Sequence, residues 1–405
     1  MIAIIERAKN YSDRKAIYSF GKYFTYDELV NSATYFAKRL TEKKNDLLEE
    51  RVAFLMKPGF NYVMIQWAIW QAGGVAVPLD NHAPIELLQY IIQDTKPLIL
   101  VIDKDHEGMI SALQAYHPCS IVIIDAEQAY YSNQIFEENN IEQSRMALIS
   151  YNPDHTNSPK GVVMTHANIF VQISTLVKSW EWKKNDYSLC ILPISQNERI
   201  LEFMCCSLWV GACFEFVLKL NETNIFKIFG EGKVTLTMAD SIIYSKLIKF
   251  WNEIPYKERL LIQEKMERQR VMVNSSTSMS VFELHKWEKI CGHILIECYG
   301  KAEAGMIFSN PLKGNRIPGY VGKPLTKVQV RIADENDQLL RIGSPGEIQI
   351  KGPSVFKKYW NKVQETKDAF TKDGWFRTRD IGIIENDSFK ILERDNAIIN
   401  SLEGK

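Results

Sequence analysis

Short apolar runs alternate with longer amphipathic segments through most of this chain. Runs of this length are typical of buried strands, and the segments between them carry apolar residues at helical spacing. The first part of the pattern predicts strands at 51–56, 75–79 and 98–102 and helices at 59–72 and 84–94. A later part predicts helices at 223–229 and 241–250 and a strand at 234–238. Because strand–helix–strand units lay their strands parallel, we predict an α/β fold with two βαβ-type sheet subdomains.

After Arg316 the apolar runs become shorter and the turns more frequent. Strand-like runs occur at 328–332 and 346–350, after a turn-rich stretch at 316–324. Short strands separated by glycine and proline turns are typical of small antiparallel β domains. We therefore predict a small β-barrel-like subdomain over about residues 315–392.

Composition excludes several function classes. The chain has 405 residues, of which 46% are hydrophobic, with 49 basic and 49 acidic side chains. Zero formal charge provides no electrostatic field for nucleic acid, and no uncharged apolar run reaches transmembrane length. The first residues lack the apolar region of a signal peptide. These features predict a cytoplasmic protein with no nucleic-acid partner and no membrane span.

The seven cysteines and seven histidines show no CxxC or HxxxH spacing. Scattered thiols in a large chain are typical of small buried side chains in a reducing compartment. We predict no metal site built from cysteine and histidine.

The segment 146–166 carries the strongest candidate chemistry. An apolar run at 147–151 predicts a buried strand, and a polar loop at 152–158 leads to Lys160 and a helix start at 165–168. A strand, loop, lysine and helix start can present backbone N–H groups and a cation to phosphates. The GxxxxGK[ST] motif is absent, because no glycine precedes Lys160 at the required offset. An irregular surface loop without a ligand is the alternative interpretation.

This loop resembles the phosphate loop of the adenylate-forming superfamily, which includes acyl-CoA synthetases, luciferases and peptide-synthetase adenylation domains. The family loop is Y-T-S-G-T-T-G-x-P-K-G-V, and the chain matches it at Tyr151, Thr156, Pro159, Lys160, Gly161 and Val162. The resemblance implies that Lys160 and Thr156 bind the phosphates of ATP. Pro153 removes a backbone donor, and Asp154 adds a carboxylate where the family has small residues, so we predict weak nucleotide binding.

A second match falls on the family motif Y-G-x-T-E. Tyr299, Gly300 and Glu303 agree with it, whereas Ala302 lacks the threonine hydroxyl. The resemblance implies that Tyr299 packs on adenine and that Glu303 holds Mg²⁺. A carboxylate beside phosphates needs such a metal between them. The alternative for Glu303 is a carboxylate at a helix start.

Three further positions follow from the resemblance. Asp380 ends a G-W-F-x-T-G-D-like motif and is implied to bind both ribose hydroxyls, with Arg379 in the place of the motif glycine. Arg394 is implied to contact the ribose as well. Ser275 occupies the place of a glycine that touches adenine, where a side chain would hinder close approach.

Segment 66–79 is similar to malonyl-CoA synthetases in particular. In those enzymes the residue before Y-G is an arginine implied to pair with the distal carboxylate of the substrate, whereas this chain has Cys298. The segment 195–199 is polar where the family lines its acyl pocket. It is either a polar pocket wall, which disfavours a long acyl tail, or a solvated loop without a ligand. Arg199 is a candidate to substitute for the missing arginine, although nothing in the sequence places it there.

The resemblance implies an adenylate-forming large N-terminal domain over 1–394, a hinge stub at 395–405 and no C-terminal lid domain. It implies an acyl-CoA synthetase that uses ATP, Mg²⁺ and coenzyme A to convert a small carboxylic acid to an acyl-adenylate and then to an acyl-CoA, as in fatty acid metabolism. The alternative is a catalytically inactive, truncated relative that survives as a binding module or a decayed gene product.

Overall fold

The computed structural model describes residues 2–41, 45–125, 127–131, 140–151, 159–192, 197–217, 220–275 and 279–393. The helices in this part of the chain are α1 Ala3–Ala8, α2 Tyr26–Thr41, α3 Phe60–Gln71, α4 Ile85–Thr95, α5 Ile110–Gln114, α6 His166–Ser179, α7 Asn197–Val210, α8 Glu222–Gly230, α9 Ser241–Phe250, α10 Tyr256–Met266, α11 Val281–Cys291 and α12 Val363–Asp368. The first ten strands are β1 Lys15–Ser19, β2 Lys22–Thr25, β3 Arg51–Leu55, β4 Val75–Leu79, β5 Ile99–Asp103, β6 Ser120–Ile124, β7 Met146–Tyr151, β8 Gly161–Thr165, β9 Tyr187–Ile191 and β10 Cys213–Phe216. The second ten are β11 Leu236–Ala239, β12 Val271–Asn274, β13 Ile296–Lys301, β14 Gly305–Ser309, β15 Lys323–Pro324, β16 Gln329–Ala333, β17 Gly346–Lys351, β18 Lys358–Tyr359, β19 Phe376–Glu385 and β20 Ser388–Glu393.

Two large sheets confirm the predicted α/β fold. One has seven strands in the order β18-β8-β7-β4-β3-β5-β6, and the other has nine in the order β15-β14-β13-β12-β11-β9-β10-β1-β2. The predicted strand–helix–strand alternation supplies the parallel pairs β3–β4, β3–β5 and β11–β12. Element bounds differ from the predicted ones by one or two residues at most ends, as expected where helices fray.

Helix α3 forms the central packing layer beside the seven-stranded sheet. All of its residues are buried, because α2 covers one side and the sheet covers the other. The indole of Trp70 donates a hydrogen bond of 2.8 Å to the carbonyl of Ala147 in β7. Trp67 is fully buried as well. Both tryptophans therefore belong to the core.

The third sheet is antiparallel, with the order β16-β17-β19-β20. It spans 329–393 and so confirms a small β subdomain in the predicted region, although its four strands form an open sheet rather than a closed barrel. Strand β19 is its longest strand, and it crosses close to the end of β13. This crossing positions the candidate site.

The helix start predicted at 165–168 is confirmed, but the sequence did not predict the strand that precedes it. Strand β8 intervenes between Lys160 and α6 and runs antiparallel to β7, so the helix begins at the far end of the strand. Five strand residues span roughly 16 Å. Thr165 caps α6 in a capping box with Asn168, as the sequence indicated. The partial positive charge of this helix start therefore lies away from the loop.

Cysteine burial follows the sequence prediction. Six of the seven thiols are buried, and Cys119 is half-buried. Burial raises the pKa of Cys190 to about 12, which makes it an unreactive thiol at neutral pH. Among the described helices, none combines the length and apolar character that crossing a membrane requires.

Candidate functional site

The carboxyl ends of β9, β11, β12 and β13 lie side by side along one edge of the nine-stranded sheet. Ligands of open α/β sheets bind beyond the carboxyl ends of parallel strands. Ser275 directly follows β12, and the turn 302–304 directly follows β13. The structure thus brings two sequence-predicted positions, Ser275 and Glu303, to the same edge.

Tyr299 and Asp380 are in direct contact, although 81 positions separate them in the sequence. The phenol hydroxyl of Tyr299 donates to Oδ2 of Asp380, which β19 carries into the site. The two residues are 1% and 2% exposed. The backbone of Asp380 is fixed in turn, because its N–H donates 3.2 Å to the hydroxyl of Thr378.

Lys301 completes this cluster, and sequence reasoning missed it. Its Nζ donates 2.7 Å to the carbonyl of Thr378 and lies 3.3 Å from Oδ2 of Asp380. A carboxylate with almost no exposure needs a nearby cation, and Lys301 supplies it. The available signal was a lysine at the variable position of the Y-G-x-x-E motif, inside an otherwise buried strand.

Gly300 is required by the backbone of the β13–β14 hairpin. A Cβ at this position would lie 2.5 Å from the carbonyl oxygen of Gly305 and 3.0 Å from Cα of Met306. The pairing register also shifts between Tyr299 and Gly300. The motif glycine thus allows the close approach that carries Tyr299 and Lys301 into the site.

Glu303 lies in the turn between β13 and β14, so the alternative of a helix-start carboxylate is wrong. The residue is 3% exposed. Its Oε1 accepts a hydrogen bond of 2.7 Å from the hydroxyl of Tyr359, and its backbone carbonyl accepts one of 2.6 Å from the N–H of Phe356. These contacts join the turn to β18, the edge strand of the seven-stranded sheet.

Lys160 stands where the loop re-enters the seven-stranded sheet. Tyr151 and Gly161 are paired across β7 and β8, so these two residues hold the ends of the loop together. The ammonium of Lys160 lies 5.1 Å from the centroid of the Tyr359 ring, within the range of a cation–π interaction. Tyr359 therefore contacts both Lys160 and Glu303, and it is a second residue that sequence reasoning missed. The only signal for it was the family-like segment 359–362.

Tyr151 is anchored at the base of the loop. Its hydroxyl donates 2.5 Å to Oδ2 of Asp94 at the end of α4. Burial and this carboxylate raise the pKa of Tyr151 well above its usual value, so it stays a neutral donor. The neighbouring loop positions Thr156, Pro153 and Asp154 lie outside the described residues, and so does Arg394.

Ser275 and Cys298 are both buried near the carboxyl edge. The backbone N–H of Ser275 donates 3.0 Å to the carbonyl of Ala239, and the thiol of Cys298 donates 3.3 Å to the carbonyl of Asn274. Both contacts tie neighbouring strands together. Cys298 is therefore a small buried side chain, and it brings no positive charge to the position where malonyl-CoA synthetases have an arginine.

Arg379 adopts a backbone conformation that favours glycine. Its φ is 61°, in the left-handed region, and its N–H donates 2.8 Å to Oε1 of Glu347. This geometry explains why the resembling motif has glycine here. The side chain is exposed.

Chemically, the described part of the site holds two carboxylates and two lysines. Lys301 accompanies Asp380, and Lys160 lies on the ring that holds Glu303. Within the described residues, no three histidine, cysteine, aspartate or glutamate side chains gather as a protein-only metal site. The arrangement suits a ligand that has both hydroxyl donors and phosphate anions, because carboxylates accept from the former and ammonium groups bind the latter.

The chain is similar to known proteins over nearly its whole length. The family described as AMP-binding enzyme matches residues 4–360. Malonate–CoA ligase ACSF3, mitochondrial, of Mus musculus is 34% identical, over 98% of this chain and 74% of that relative. A malonate–CoA ligase of Arabidopsis thaliana is 30% identical, over 99% of this chain and 71% of that relative. ATP-bound MatB from Rhodopseudomonas palustris has a TM-score of 0.87 at 27% identity, over 97% of this chain and 78% of that chain.

These likenesses confirm the predicted fold class and the predicted resemblance. The chain spans about three quarters of the length of the mouse relative. The name of that relative places it in mitochondria, so cytoplasmic placement of this chain stays a prediction.

Proposed function

Because the chain belongs to the AMP-binding enzyme family, we propose that it is an ATP-dependent acid–thiol ligase whose nucleotide binds at the carboxyl end of β13. The observation that supports this best is the meeting of three sheets at one place. Tyr299 and Lys301 of the nine-stranded sheet contact Asp380 of the small sheet, and Tyr359 of the seven-stranded sheet contacts Glu303. A nucleotide at this position presents its ribose to Asp380 and its adenine to Tyr299, and Glu303 would hold the Mg²⁺ ion that accompanies the phosphates.

The roles of the remaining candidate residues belong to the same proposal. Lys160 and Thr156 bind the outer phosphates, and Arg394 contacts the ribose beside Asp380. Ser275 lines the adenine site from the end of β12. Lys160 supports this assignment by its place at the end of the β7–β8 loop, 5.1 Å from the ring of Tyr359.

The carboxylate of Glu303 fits a magnesium ion. Mg²⁺ in nucleotide sites is held by one or two carboxylates together with substrate phosphates and water, so a single buried carboxylate suffices. Glu303 is already held by Tyr359 and by the turn after β13. When bound, Mg²⁺ neutralises phosphate charge.

In the proposed reaction, the carboxylate of the acid attacks the α-phosphorus of ATP and releases pyrophosphate. The thiol of coenzyme A then attacks the carbonyl carbon of the acyl-adenylate and releases AMP. The contribution of this chain is to hold the nucleotide and align the acid, since positioning accounts for much of the rate in such transfers. We place these functions in a large domain over 1–394, with 395–405 as a hinge segment.

Malonate is the acid to test first, because the relatives are named malonate–CoA ligases. Cys298 carries no charge to pair with a second carboxylate. We assign that role to Arg199 in the first turn of α7. Its Nη1 is buried and has no hydrogen-bond partner in the described structure. Glu202, one turn further along α7, accepts 3.1 Å from the N–H of Met306 in β14, so this face of the helix lies against the β13–β14 hairpin.

The first experiment measures nucleotide binding by calorimetry. Asp380→Asn is expected to weaken AMP binding about tenfold, since the amide removes an acceptor from the ribose site. Asp387→Asn, which changes an exposed carboxylate of the same small sheet, is the matched control. Equal AMP affinity in Asp380→Asn and the wild type contradicts the proposed site.

The second experiment tests turnover and substrate. The chain is incubated with ATP, Mg²⁺, coenzyme A and malonate or propionate, and AMP and acyl-CoA are measured by mass spectrometry. Arg199→Leu is expected to remove the preference for malonate while propionate turnover continues. AMP binding without any product favours the inactive alternative, which no observation in the described structure or in the comparisons otherwise supports.

A further inference from the structure

We propose that Lys301 binds the α-phosphate of the nucleotide, a role that deepens the proposed function and rests on it. Its ammonium has three N–H donors. One donates to the carbonyl of Thr378 and another to Oδ2 of Asp380. The described residues provide no acceptor for the third, and the side chain is 16% exposed, so a ligand can reach it.

The position of this donor identifies the ligand group. Asp380 receives the ribose in the proposed site, and the 5′ phosphate is attached to the same sugar through a few bonds. A cation that already contacts Asp380 is therefore within reach of the α-phosphate when the ribose is bound. The outer phosphates lie farther along, toward Glu303 and Lys160.

The local charges make this cation necessary. A phosphate entering between Asp380 and Glu303 meets two buried carboxylates, and like charges at short range repel strongly in such surroundings. Lys301 stands in the sequence between Tyr299 and Glu303 and offsets one of these carboxylates. Ala302 offers no hydroxyl at the neighbouring position, so Lys301 also supplies a donor that the motif otherwise lacks.

The alternative is that Lys301 only positions Asp380. The two roles differ in their dependence on the phosphate. If Lys301 only positions Asp380, replacing it lowers the affinities for adenosine and for AMP equally, because both ligands bind through the same ribose. If Lys301 contacts the phosphate, replacing it lowers the affinity for AMP alone.

The test compares adenosine and AMP binding by calorimetry in the wild type, Lys301→Met and Lys301→Arg. We expect Lys301→Met to weaken AMP binding about tenfold and to change the affinity for adenosine less than about twofold. Lys301→Arg keeps the positive charge and is expected to retain most of the AMP affinity. Lys301→Gln, whose amide still donates to the Thr378 carbonyl, serves if the methionine variant does not fold, and the same AMP-selective loss is expected.

Equal loss of adenosine and AMP affinity in the neutral variants overturns the phosphate contact while leaving the nucleotide site in place. Unchanged AMP affinity overturns it as well. If the wild type binds neither ligand, the proposed function fails, and the role of Lys301 fails with it.

Discussion

The hydroxyl of Tyr359 donates a hydrogen bond of 2.7 Å to Oε1 of Glu303. This bond joins β18, the edge strand of the seven-stranded sheet, to the turn that follows β13 in the nine-stranded sheet. The same ring lies 5.1 Å from the ammonium of Lys160. A single side chain thus contacts the cation at the loop end and the candidate metal carboxylate. This contact can be tested without removing either charged group.

Tyr359→Phe is expected to weaken Mg·ATP binding about tenfold, because it removes the hydrogen bond that orients a charged acceptor. AMP binding without Mg²⁺ is expected to stay unchanged, since the ring over which Lys160 lies is kept. Calorimetric titrations with and without Mg²⁺ measure both. Tyr256→Phe, at an exposed tyrosine of α10, is the matched control. A similar loss for AMP and Mg·ATP would show that Tyr359 does not act through Glu303.

Gly300→Ala is expected to destabilise the fold by about 2 kcal/mol, because the new Cβ would lie 2.5 Å from a backbone oxygen that cannot move independently. The free energy of unfolding from urea titration measures the effect. Gly108→Ala is the control, since a Cβ there meets nothing within 4 Å, and a change of less than about 0.5 kcal/mol is expected. Equal stabilities for the two variants would contradict the close approach in the β13–β14 hairpin.

Arg379→Gly is expected to stabilise the fold by about 1 kcal/mol, because glycine adopts the left-handed backbone conformation without a Cβ penalty. Arg379→Ala removes the same charge but keeps the Cβ, so it should leave the free energy of unfolding near the wild-type value. Urea unfolding of both variants separates backbone strain from charge. An equal gain from alanine and glycine would assign the effect to the guanidinium.

Glu127 predicts a pH dependence of stability. Its carboxylate accepts hydrogen bonds from the N–H groups of Phe60 and Asn61 at the start of α3, and burial raises its pKa from 4.5 to about 7. The folded chain therefore keeps this proton at pH values where the unfolded chain has released it. The contribution to stability is complete below about pH 4.5 and falls as the pH rises to about 7, by about 3 kcal/mol in total.

Glu127→Gln removes this titration. Relative to the variant, the wild type should lose stability between pH 5 and pH 8, which urea unfolding at several pH values measures. Glu107→Gln changes an exposed carboxylate and is the control. Its free energy of unfolding should vary with pH in the same way as that of the wild type. If the free energies of unfolding of the wild type and of Glu127→Gln change equally with pH over this range, the pKa of Glu127 is not raised.

The sequence by itself determined the fold class. The apolar runs and amphipathic segments predicted several of the parallel strands and of the helices between them, because burial in a layered sheet imposes that spacing whatever the ligand. A local signal also sufficed for Thr165, whose side chain caps the helix that starts where the sequence predicted. Motif matches also predicted Glu303 and Asp380 as residues of one site, because each lies in a recognisable segment.

Only the tertiary structure decided what these residues contact. Lys301 and Asp380 are 79 positions apart, and Tyr359 and Glu303 are 56 positions apart, so no local pattern pairs them. The tertiary structure also showed strand β8, which runs antiparallel to β7 and separates the start of α6 from Lys160 at the end of the loop. Secondary structure follows from near neighbours along the chain, whereas the partners of a buried charge depend on which sheets meet, and that is a property of the packed molecule.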